Sequence, residues 1–178
     1  MEENQQPSLL KCTMNYGAML GLALIIYSLL LWMFDASTNQ YLGYISFIIT
    51  ITGIVIATRT YRDQEQGGFI TYGRALGVGT LTSLFAGIIT SFFTYLLYTV
   101  IDPGLVAKTH AIMEQGYYDA GLTDSQIEMA MNMAKRFTNP VMMAVLGLFS
   151  SVLMGFIFSL ITSIFLKNEG DPFETDAI

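Results

Sequence analysis

The sequence predicts an all-α, polytopic membrane protein: four transmembrane helices forming two hairpins, with an amphipathic helical hairpin between spans three and four. Three observations carry this. The charged fraction is 12%, about half of the roughly 25% usual in soluble domains, while the hydrophobic fraction is 53%. The charge is absent from the interior of four long windows, which lipid explains better than a large water-soluble core. Those windows are edged by tyrosine, tryptophan, lysine and arginine, the side chains that favour a membrane interface.

The first window covers residues 14–34 and ends in Trp32, Met33 and Phe34 before Asp35. A signal peptide is the rival reading, but only Lys11 precedes the window, behind Glu2 and Glu3, and no A-x-A site follows. The second window, 41–58, has Tyr41 and Tyr44 at one edge and Arg59 and Arg62 beyond the other. The connection at 36–40 is so short that spans one and two must be antiparallel. The third window, 74–101, would be about 40 Å long as a helix, against a hydrocarbon core of roughly 30 Å, so it must tilt or project. The fourth, 140–166, is closed by Lys167. Residues 14–166 thus form one four-helix bundle, between an N-terminal tail at 1–13 and an acidic tail at 167–178.

Orientation follows from the basic residues. With both termini cytoplasmic, the inner side holds Lys11, Arg59, Arg62, Arg74 and Lys167, and the outer side Lys108, Lys135 and Arg136. Five against three is a modest positive-inside bias.

Residues 102–139 are too many for a structureless connection. Asp102 can cap a helix and Pro103 suits a first helical position. Leu105, Val106, Thr109, Ile112 and Met113 then recur at helical spacing, with Gly116 as the expected stop and 117–121 as a turn. Thr123 and Gln126 make a capping box before a second apolar face of Ile127, Ala130, Met131, Ala134 and Phe137. Asn139-Pro140 opens span four. Such helices can simply shield the outer surface. Alternatively, Met113, Ile127, Met131 and Phe137 belong to a methionine-rich partner face, which Met129 and Met133 extend.

Spans one and three begin alike: Tyr16-Gly17-Ala18-Met19-Leu20-Gly21 and Tyr72-Gly73-Arg74-Ala75-Leu76-Gly77. The echo suggests two related hairpins, or chance in glycine-rich helices. Each copy contains G-x-x-x-G, and glycines let helix backbones meet in lipid. The expected packing positions are therefore Gly17, Gly21, Gly73 and Gly77, with Gly147 and Gly155 on span four; Gly79, Ser83, Gly87 and Ser151 continue the faces. A substrate path along these faces is the sharper reading.

The inner loop holds Arg59, Arg62 and Arg74 around Gly67-Gly68. These arginines either fix topology or contact lipid phosphates or an acidic partner. The segments Thr60-Tyr61-Arg62-Asp63 and Gly67-Gly68-Phe69-Ile70-Thr71-Tyr72-Gly73-Arg74-Ala75-Leu76-Gly77, with Asp102-Pro103, resemble the domain-of-unknown-function 4199 family of Bacteroidota-type membrane proteins. The resemblance covers nearly the whole chain. It implies a bacterial inner-membrane location and supplies no catalytic residue and no substrate.

Chemistry is sparse. No Asp, Glu, Lys, Arg or His falls within the inner two-thirds of any span. Span polarity comes from serine and threonine, among them Ser28, Ser46, Thr50, Thr90, Thr94, Ser150 and Ser151, which commonly bond their own helix carbonyls. Cys12 and His110 are single, so no cysteine cluster, disulfide or metal set is expected, and no cofactor. No basic run exists to bind nucleic acid. The expected partners are the bilayer and a membrane protein or a second copy. The expected function is a non-enzymatic scaffold or accessory subunit of an envelope system. The alternatives are a small transporter or lipid-handling oligomer, and an interfacial enzyme using Asp35 or Asp102.

Overall fold

A computed structural model describes residues 9–37 and 39–168. Those residues form six α-helices: α1 (Leu9–Met33), α2 (Gln40–Thr60), α3 (Tyr72–Leu96), α4 (Gly104–Asp119), α5 (Asp124–Phe137) and α6 (Pro140–Leu166). α2 and α3 each continue into one widened π turn, Tyr61–Glu65 and Leu97–Ile101. Four helices, α1, α2, α3 and α6, are long and apolar enough to cross a membrane. Most of the expected tails, residues 1–8 and 169–178, lie outside the described residues.

Contacts fix the helix directions. The Tyr27 hydroxyl donates to the Leu42 carbonyl at 2.7 Å, and Cys12 clusters with Ala57 and Tyr61 at the other end, so α1 and α2 are antiparallel. α3 and α6 are antiparallel too, with Gly87 beside Ser151 and Gly79 beside Ser159. α1 and α3 run parallel, Gly17 facing Phe85 and Gly21 facing Ile89. α3 is central, packing most extensively on α6 and then on α1.

Large apolar side chains lie on the outside of the helices and small hydroxyl side chains lie between them. Met19, Ile26, Ile48, Phe92, Phe149, Ile161 and Phe165 point outward, while Thr13, Thr58, Thr82, Ser83, Ser159 and Ser163 are buried. Beside buried Leu20, Ile54 and Val78, small residues bring the helix backbones together at the α1–α3 and α3–α6 contacts.

Several sequence expectations change. α1 begins at Leu9 rather than near Met14, and α2 runs beyond Thr58. α4 passes through Gly116, and the left-handed residue that ends it is Gly121, at φ 80. Gly73 and Gly77 are not packing residues: a Cβ on either would meet nothing within 4 Å. Two residues along a helix turn its face by about 200°, so the Gly79 face that meets α6 leaves Gly77 on the opposite side. Gly147 is also exposed, its nearest neighbour being the Ser91 Oγ at 3.9 Å. The Y-G-x-x-L-G echo therefore occupies two unlike environments, tight in α1 and open in α3.

Candidate functional site

The two ends of the helical assembly are built differently. At the end nearer the described termini, the chain is locked. Gly67 and Gly68 take positive φ, which a side chain would resist. The turn they make lets Ile70 form a two-way backbone bridge with Asn168, whose side chain also donates to the Gly68 carbonyl at 2.9 Å. Arg62 pairs with Asp63 at 2.6 Å and donates to the Leu166 carbonyl at 3.3 Å. Arg74 donates to the Gln66 Oε1 at 2.7 Å. Arg62 thus ties the α2–α3 loop to α6 and Arg74 ties it to the start of α3, while Arg59 is exposed.

Above this lock, small residues close the helices. A Cβ on Gly17 would come within 2.5 Å of the Phe85 Cβ and 2.8 Å of the Thr82 carbonyl oxygen. One on Gly79 would strike Ser159 and approach the Ile54 Cγ2 to 2.8 Å; one on Gly155 would strike Ser83. Gly53 of α2, which the G-x-x-x-G pattern did not single out, sits against Leu20, with a Cβ 2.7 Å from its Cδ1. The seam also holds Thr82 and Ser159, whose buried hydroxyls have no hydrogen-bond partner among the described residues.

Towards the other end the helices part. A cleft of about 310 Å³ opens between α1, α2, α3 and α6. Phe47, Phe93 and Phe158 wall it, with Phe47 and Phe158 in edge contact at 5.8 Å. Serine and threonine hydroxyls from all four helices line it. Thr50, Thr94 and Ser151 donate to the carbonyls of Ser46, Thr90 and Ser83 at 2.8, 2.9 and 3.3 Å. Ser28, Ser46 and Ser150 line the same space from three helices, and their hydroxyls have no hydrogen-bond partner among the described residues. Tyr27 is the single titratable side chain of the lining. The sequence displays each hydroxyl but not their meeting, which depends on how α1, α2 and α6 turn their faces.

The α4–α5 hairpin caps the end beyond the cleft. Asp102 is its anchor: one oxygen accepts from the Trp32 Nε1 at 3.0 Å and the other from the Gly104 amide at 3.1 Å. Lys108 pairs with Asp35, the described non-glycine residue with positive φ, at 54. His110 bonds Thr138, joining α4 to the C-terminal cap of α5. The capping box of Thr123 and Gln126 and the Asn139 cap on Met142 are both formed. Asp124 beside Tyr118 raises that phenol above its ordinary value.

The expected partner face divides. Ile127 and Met131 are only 3% and 7% exposed, covered within the hairpin, so they offer no open surface. Met113 is half-buried. Phe137 is 52% exposed and aligns at four-residue spacing with Met133 and Met129, at 61% and 70%. The open stripe on α5 is therefore Met129, Met133 and Phe137. Among the described residues no three His, Cys, Asp or Glu side chains gather as a metal site.

No curated protein and no solved structure matches this chain. Residues 15–168, most of the chain, match the family described as protein of unknown function (DUF4199). The match takes in α2 to α6 whole and all of α1 beyond its first turns, so the cleft, the seam and the capping hairpin all fall inside it, and the chain belongs to the DUF4199 family.

Proposed function

We propose that this protein is a multi-pass protein of a bacterial inner membrane, its spans paired as two hairpins and both termini cytoplasmic, and that it serves as a non-enzymatic scaffold or accessory subunit. The observation that carries this reading is the capping hairpin. It is joined to the end of α1 through Asp102–Trp32 and Lys108–Asp35, and it presents Met129, Met133 and Phe137 uncovered. An anchored hairpin with an uncovered methionine stripe suits an adaptable partner contact. The arginines at the opposite end support the orientation through the positive-inside bias.

The test is affinity purification in mild detergent with mass spectrometry, run on the wild type and on Met133→Asp. A stoichiometric partner lost only in the variant supports the scaffold. An unchanged set of co-purifying proteins, with the variant folded, refutes it.

A second reading, lipid handling, is favoured by one feature alone: the hydroxyl-lined cleft between the four long helices.

A further inference from the structure

The geometry points to the cleft as a binding site for an uncharged amphiphile, one with an alcohol or ester head and an apolar tail. This rests on the membrane reading and deepens its lipid-handling form.

Three of the lining serines lie deep. Ser28 lies five residues before the end of α1, Ser46 six after the start of α2 and Ser150 ten after the start of α6. At 1.5 Å per residue they sit roughly 8–15 Å inside the helix ends, within a hydrocarbon core of roughly 30 Å. In water an unbonded serine hydroxyl costs nothing, since solvent bonds it. In hydrocarbon it is costly, and where there is room, as there is not at Thr82 and Ser159 of the closed seam, a bound group can supply the missing bond. Most membrane serines and threonines meet this need through their own helix carbonyls, as Thr50, Thr90 and Thr94 do here. Ser28, Ser46 and Ser150 do not, and they come from three helices to one space.

The same lining limits what can enter. It contains no Asp, Glu, Lys, Arg or His. A charged head would be desolvated with no counter-charge, which excludes phosphates, carboxylates and amines as the bound group. Three free hydroxyls each donate one bond and accept others, and the Thr50, Thr94 and Ser151 oxygens keep lone pairs for a donor. That set matches an alcohol or ester. The Phe47, Phe93 and Phe158 walls suit the adjoining apolar chain. The volume, about 310 Å³, accommodates the head and upper chain of a lipid, and lies at the small end of ligand sites. Below, Ser83 against Gly155 closes the floor, so a ligand enters from the hairpin-end half of the helices.

The experiment uses the full chain in nanodiscs and two photo-crosslinkers with the same diazirine-bearing acyl chain, a monoacylglycerol and a phosphatidylglycerol. The expected result is monoacylglycerol adducts on Phe47, Phe93 or Phe158, and phosphatidylglycerol adducts on outward residues such as Phe149 and Phe165. The combined Ser28→Ala, Ser46→Ala, Ser150→Ala variant should lower cleft labelling by about tenfold or more, the effect of losing neutral hydrogen bonds, while labelling of Phe165 stays constant and reports the fold. Gly147→Phe, at an open position on the cleft wall, should block the same adducts. Equal cleft labelling by both probes, or labelling indifferent to the triple variant, overturns the proposal, because the cleft then holds any acyl chain. No cleft adduct in protein that resists alkaline carbonate extraction also overturns it and leaves the membrane reading standing. Release of the wild type by carbonate overturns both.

Discussion

Ser83 on α3 and Gly155 on α6 meet with no room for another carbon atom between them: a Cβ on Gly155 would fall on the Ser83 side chain. The same closeness recurs a turn to either side, at Gly79 with Ser159 and at Gly87 with Ser151, where a Cβ on Gly87 would lie 2.9 Å from the Ser151 Oγ. This seam makes α3 and α6 the most extensive helix pair of the fold.

The first prediction concerns that seam. Gly155→Leu and Gly79→Leu each force the backbones apart and should cost about 2 kcal/mol or more, the scale of severe overpacking. Gly77→Leu should leave stability within about 0.5 kcal/mol, since its side chain enters open space. Thermal denaturation in detergent compares the three. Equal loss at Gly77 and Gly155 would show that both faces of α3 are packed.

The second prediction separates the two faces of α5. Met131 is buried, so Met131→Asp places a charge in an apolar contact and should lower stability by about 3 kcal/mol. Met133 is exposed, so Met133→Asp should be tolerated. Limited proteolysis between α4 and α5 is the readout. Rapid cleavage in the Met133 variant alone would invert the assignment of faces.

How far the sequence shows these features follows from their range. The Thr123–Gln126 box, the Asn139 cap and the helical spacing of Ile127, Met131 and Ala134 are local, set by residues within a few positions of each other, and the structure has them all. What needs distant partners is hidden. G-x-x-x-G states that a glycine is small, not which neighbour it meets, and so Gly73 and Gly77 read like Gly17 and Gly21 although only the α1 pair is in contact. The Ile70–Asn168 bridge joins opposite parts of the chain and has no local signal. The apolar face of α5 reads as available from its own sequence; α4 must be set beside it before Ile127 and Met131 are seen to be covered. The meeting of Ser28, Ser46 and Ser150 is hidden for the same reason.

The third prediction concerns Asp102. Asp102→Ala removes the acceptor of the Trp32 indole and the cap on Gly104 together, and should destabilise by about 1–2 kcal/mol. Trp32 is the protein's one tryptophan, so its fluorescence reports the site directly. The variant should shift the emission maximum, and Lys108→Ala should shift it less, because Lys108 pairs with Asp35 instead. An unmoved spectrum in Asp102→Ala would mean the indole bond does not hold the hairpin.

The most direct test of the central claim, a four-span membrane protein with both termini on one side, is thiol accessibility in intact cells. In a Cys12→Ala background, Ser37→Cys lies in the α1–α2 connection and Gln64→Cys in the exposed turn after α2, at opposite ends of one span. A membrane-impermeant maleimide should label position 37 in intact cells and position 64 only after the membrane is opened. Labelling of both positions in intact cells would contradict the spanning arrangement, and labelling of position 64 alone would place the termini outside.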